Sequence, residues 1–185
     1  GLNALDAITT GDGNTVMGFQ AATSLTTGTE NVAVGFQAMR LVTTGGTNTA
    51  LGHTALATTT TGGDNTAVGR NALNQNTTAS GHVAVGSSAL DANTTGSQNT
   101  ALGTSAMAAN TTGDYSVAVG FEALKANTTA SNNTALGYRA LLANTTGTRN
   151  LAIGMNAYDA SDTENDNIAI GFEAMTTNTA GGTAN

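Results

Sequence analysis

The sequence predicts an all-β fold, a single-stranded parallel β-solenoid with one coil per 17-residue repeat. Three observations predict it. A glycine recurs at Gly18, Gly35, Gly52, Gly69, Gly86, Gly103, Gly120, Gly137, Gly154 and Gly171 without an insertion, and Gly1 fits the series. A short aliphatic run, β-branched at alternate positions, precedes each of these glycines, as in Asn65-Thr66-Ala67-Val68-Gly69. Polar turn formers fill the second half of nearly every repeat, commonly as Asn-Thr-Thr-Gly. Such a period means one small unit stacked on copies of itself, so function belongs to the stack or its ends.

The aliphatic runs are bounded by turn formers and read as strands of about four residues. A helical unit would need a continuous three-four spacing of apolar residues, which the Asn-Thr-Thr-Gly half breaks with poor helix formers. A second apolar segment, as in Ala89-Leu90 and Ala123-Leu124, forms the opposing wall. Residues 1–185 are then one continuous array of about ten coils, which at roughly 4.8 Å per level is a rod about 48 Å long. The chain starts at Gly1 inside a repeat, and Asn185 falls one residue later than the period demands, so we expect a fragment of a longer fibre protein.

Alignment on the repeat glycine turns each column into a statement about one position in the fold. Three residues after it stands Ala in all eleven copies, from Ala4 to Ala174, and the next position carries Leu or Met in most. One residue before it stands a large apolar side chain. Alternation along the strand puts that residue and the one two before it on the same face. We expect this face to fill the coil, as a core ladder of Val34, Leu51, Val68, Val85, Leu102, Val119, Leu136, Ile153 and Ile170.

The residue between them faces the other way and is Ala33, Ala50, Ala67, Ala84, Ala101, Ala118, Ala135, Ala152 and Ala169, with Val16 in the remaining copy. A second apolar surface along the rod exceeds the few hundred Å² that soluble monomers tolerate. We therefore expect these alanines to form an interchain ladder in a bundle of parallel solenoids closed by cyclic symmetry, with three chains as the number taken here.

Only 9% of the residues are charged, and Pro, Cys and Trp are absent, which is unlike an ordinary globular enzyme and excludes disulfide and thiol chemistry. A net charge of -7 with five dispersed Lys and Arg gives no basic stripe for phosphates, so no nucleic-acid partner is expected. No apolar stretch reaches the roughly 20 residues that span a bilayer, and no membrane partner is expected.

The strand motif followed by x-x-Ala, seen best in Asp114-Tyr115-Ser116-Val117-Ala118-Val119-Gly120, resembles the head repeat of trimeric autotransporter adhesins of the YadA type. The resemblance covers the whole chain and implies a left-handed parallel β-roll assembled as a parallel homotrimer. Similar Asn-Thr-Ala-Val-Gly arrays look like those in fibres of marine and cyanobacterial phages. The adhesin repeat is shorter and lacks the additional Asn-Thr-Thr-Gly turn, which the phage-fibre reading accommodates better.

Several columns invite a site. Asn76, Asn93, Asn110, Asn127 and Asn144 stack at one turn position, where a ladder of amides would bond level to level. The same Asn-Thr-Thr triplets match the N-glycosylation pattern. Phe19, Phe36, Phe121, Tyr138 and Phe172 share the column after the glycine, as a packing rim or as platforms for sugar rings. Asp159, Asp162, Glu164 and Asp166 concentrate carboxylates in one turn and suggest a Ca²⁺ site or a solvated acidic ring. The two His residues lie in different columns, and no phosphate loop, carboxylate pair or Ser-His-Asp set is apparent, so no enzyme, cofactor or metal is called for.

We therefore expect a shaft or head segment of a homotrimeric fibre on a virion or a cell surface, whose receptor or glycan is met by another part of the fibre. The alternatives are an autotransporter adhesin head that binds matrix or glycans, and an ice-binding solenoid suggested by the Thr columns.

Overall fold

A computed structural model describes residues 1–160 and 162–176, so the tail motif Gly181–Asn185 lies outside the described residues. Ten strands of three residues follow one another, β1 (Thr15–Met17), β2 (Val32–Val34), β3 (Thr49–Leu51), β4 (Thr66–Val68), β5 (Val83–Val85), β6 (Thr100–Leu102), β7 (Val117–Val119), β8 (Thr134–Leu136), β9 (Leu151–Ile153) and β10 (Ile168–Ile170). They form one parallel sheet in sequence order. The register advances by one repeat at every step, so Ala67 sits beside Ala50 and Ala84. No helix is present among the described residues. The chain is a parallel β-solenoid, as the period predicts.

The strands are one residue shorter than expected because the Asn at their start pairs differently. The backbone N–H of Asn65 donates to Oδ1 of Asn48, not to a backbone carbonyl, so backbone pairing begins at Thr66, whose N–H donates to the carbonyl of His82.

The repeat glycine turns the chain out of the sheet. Gly69 has φ +134, and a Cβ there would collide with the carbonyl oxygen of Gly86 in the next coil. Only glycine combines that dihedral with so close a backbone approach. The wall beyond it is not a second β-strand. It alternates through left-handed residues, such as Ser88 (φ 57) and Leu90 (φ 53), and its bonds run to both neighbours. Ser88 N–H donates to Arg70 O in the preceding coil (2.9 Å), and Leu90 N–H donates to Ala106 O in the following one (3.0 Å). Inter-coil hydrogen bonding therefore continues around the perimeter, which satisfies backbone groups that burial would otherwise penalise.

The two faces of the strand are the reverse of the expectation. Ala33, Ala50, Ala67, Ala84, Ala101, Ala118, Ala135, Ala152 and Ala169 point into their own coil and belong to its buried core. No surface of theirs is left for another chain. Val34, Leu51, Val68, Val85, Leu102, Val119, Leu136, Ile153 and Ile170, expected as the core ladder, face outward, with Leu51 48% and Ile170 64% exposed.

The lumen explains the inversion. Each level must hold the inward Ala of the strand, the strict Ala of the opposing wall and one large side chain, for example Ala84, Ala89 and Leu90. A second large residue from the strand would overfill a cross-section packed at crystal density. Alternation carries the clue, because the Asn two residues before the inward Ala shares its face and is itself buried, as at Asn48, Asn65 and Asn99.

Candidate functional site

Turning the strands over transfers the unpartnered apolar surface to the outward columns. Val83 and Val85 are each 37% exposed and Val117 is 38% exposed, and Thr49, Thr66, Thr100 and Thr134 take the same outward column as Val83 and Val117. The stripe continues past the glycine bend into the aromatic column. Phe19 stacks on Phe36 (ring centroids 5.4 Å apart), Phe36 stacks on His53 (4.9 Å), and Phe121 stacks on Tyr138 (5.4 Å). Arg139 lies over the Tyr138 ring, 5.1 Å from its centroid. Rings stacked this way cover one another's faces and turn their edges to solvent. The result is two short stacks, one over three coils and one over two, separated in the column by Arg70, Ser87 and Thr104.

Beneath this surface lie two amide ladders. Asn76, Asn93, Asn110, Asn127 and Asn144 are fully buried. The Nδ2 of Asn93 donates to Asn76 Oδ1 (3.1 Å) and to Gly96 O (2.9 Å), and Asn110 and Asn127 repeat both bonds one level on. An amide enclosed and bonded in this way is out of reach of a glycosyl transferase in the folded chain. The second ladder precedes the strands. Asn48 Oδ1 accepts the backbone N–H of Asn65, and Asn48 Nδ2 donates to Gly62 O.

The two Thr columns of the turn behave differently. The first hydroxyl of each pair bonds the next coil, as in Thr77 Oγ1 to Thr94 O (2.9 Å) and Thr94 Oγ1 to Thr111 O (2.9 Å). The second stands exposed in every coil, from Thr10 and Thr27 through Thr78 and Thr95 to Thr146 and Thr163.

Among the described residues the carboxylates of the acidic turn are not grouped together. Asp166 pairs with Arg149, whose Nη2 donates to its Oδ2 (2.7 Å), and this hydrogen bond holds the Asp166 carboxyl below its ordinary range. Glu164 takes the column of Gly147, is buried, and accepts from the backbone N–H of Thr163 (3.3 Å). Asp162 is exposed, and its backbone carbonyl, not its carboxylate, accepts from Thr145. Asp159 is half-buried one turn earlier. Among the described residues no three His, Cys, Asp or Glu side chains are grouped to hold a metal.

Sequence reasoning missed the outward strand face as the candidate surface, though the buried Asn at the strand start fixes which side is inward. No family model, curated protein or solved structure matches this chain.

Proposed function

We propose that the chain is a shaft or head segment of a homotrimeric fibre on a virion or cell surface, in which parallel rods pack through the outward Val, Leu, Ile and Thr columns. One observation carries this reading: an apolar stripe follows all ten strands. At about 4.8 Å per level and roughly 3.3 Å per residue across three columns, it covers on the order of 400 Å², near the upper end of what soluble monomers expose. Cyclic closure lets identical ladders meet in register without open-ended growth. The mechanism is mechanical, since inter-coil bonds around the whole perimeter make a stiff spacer that holds a receptor- or glycan-binding part of the fibre away from its base. The resemblance of the strand motif to adhesin heads and phage fibres supports the same reading. Sedimentation velocity tests it. A trimer at micromolar concentration supports the proposal, and a folded monomer at every concentration sinks it.

A second reading, an ice-binding rod, is favoured by one observation. The exposed Thr column, which includes Thr44, Thr61, Thr112 and Thr129, is Thr in all ten coils, although no hydrogen bond within the described residues engages its hydroxyls. Thermal hysteresis in the purified protein would favour this rod over the fibre.

A further inference from the structure

We propose that His82 makes the contact between its own coil and the next an acid-labile seam in the middle of the rod. His82 occupies the ladder column that holds Asn in eight coils and Ser116 in one, and its ring is fully buried. In that column an Asn gives the next coil two bonds, one accepted from a backbone N–H and one donated to a backbone carbonyl. His82 reproduces both. Its Nδ1 accepts the backbone N–H of Asn99 (3.2 Å), and its ring also bonds the backbone of Gly96, the carbonyl to which Asn93 Nδ2 donates (2.9 Å). Nδ1 must be bare to accept, so the proton of the neutral ring sits on Nε2, on the side of the Gly96 backbone, where the Asn93 Nδ2 that donates to the same carbonyl lies 3.2 Å away. The imidazole is thus a stand-in for an amide, with its acceptor and donor at the same two places.

The substitution is faithful only while the ring is neutral. A proton taken from solvent at Nδ1 turns the acceptor into a donor aimed at the N–H of Asn99, so the bond becomes a repulsion. The surroundings offer little to hold the charge. The coil before contributes Asn65, whose Oδ1 accepts the His82 backbone N–H (3.0 Å), and the coil after contributes Asn93, Gly96 and Asn99. Burial is the largest influence and outweighs the backbone bonding of Gly96 and Asn99 and the more distant Asp114 carboxylate, which favour the cation, so the ring's pKa falls below 6.5.

The sign follows from that direction. Above pH 6.5 the ring is neutral in both folded and unfolded chains and the seam has its full stability. Below that value the unfolded chain protonates first, and the folded-to-unfolded ratio of the seam falls by about tenfold per pH unit until the folded ring itself titrates. In a stack whose coils contact only their neighbours, the loss stays local.

The test is hydrogen exchange of the whole chain at pH 7.5 and pH 5.0, corrected for intrinsic rates, alongside His82→Asn and an NMR titration of the ring. The amides of Asn99 and its neighbours should lose about tenfold or more of their protection at the lower pH, while those of Asn31 and Asn48 keep theirs. His82→Asn restores the residue that the ladder uses elsewhere and should abolish the local loss. His82→Ser, with the occupant of the Ser116 coil, gives a second variant free of the titration. Equal acid sensitivity in wild type and His82→Asn would overturn the proposal, as would a His82 ring that protonates at or above pH 6.5.

Discussion

Asn93 and Asn76 stand one coil apart with their amides bonded, Nδ2 to Oδ1 at 3.1 Å, and neither is touched by solvent. The bond is one rung of a ladder in which each amide is donor to one level and acceptor for the next. Replacing Asn93 by Leu tests how much of the fold the ladder holds. The column accepts aliphatic residues in the early coils, at Leu25 and Val42, so volume is not the obstacle. The cost is the orphaned Oδ1 of Asn76, about 1–3 kcal/mol for a buried group left unpaired, together with one of the two bonds of Asn110 Nδ2, which keeps Gly113 O. Denaturant unfolding of Asn93→Leu should show this loss, whereas Val42→Leu should change stability by less than about 1.5 kcal/mol.

The glycine bend is the least forgiving position. Gly69→Ala combines a dihedral of +134 with a methyl group driven against the carbonyl of Gly86. We expect a loss of about 4 kcal/mol or more, the range reserved for changes the surroundings cannot absorb. Circular dichroism during thermal unfolding would show an early transition, and a melting temperature equal to wild type would contradict the geometry.

Neighbouring residues of one strand should respond in opposite ways. Ala118→Leu forces a large side chain into a filled lumen and should cost about 1–3 kcal/mol or more. Val119→Ser, pointing outward, should leave the stability of an isolated rod within about 0.5 kcal/mol while weakening any association through the outward face. The reverse outcome, with Ala118→Leu dissociating the protein and Val119→Ser unfolding it, would restore the arrangement first expected from the sequence.

Tyr115 offers a stabilising change. It is 60% exposed and adopts φ 53, in a column where Gly81 supplies a glycine at φ 75. Relief of roughly 1–2 kcal/mol of left-handed strain exceeds the roughly 0.5–1 kcal/mol of added chain entropy. Tyr115→Gly should therefore raise stability by about 0.5–1 kcal/mol in urea unfolding.

How much was legible depended on what a column reports. The repeat glycines gave the period and the coil, because one strained bend per level has one chemical solution. Thr66-Ala67-Val68 and its copies gave the strands, and the stacked Asn76 to Asn144 gave an amide ladder, since identical residues in successive coils become neighbours at once. The acidic turn was misleading, because proximity in sequence says nothing of direction, and Asp162, Glu164 and Asp166 leave one bend toward different partners.

The amino-acid order by itself determined that the chain winds once per repeat and that each strand carries one Ala face and one Val, Leu or Thr face. It did not settle which face encloses the lumen, since both are apolar and the Asn that shares the Ala face marks the inside only once its burial is known. The tertiary structure decided that through volume. Leu90 and its equivalents already occupy the interior from the opposite wall, so only alanine fits across from them, and the larger residues are turned outward.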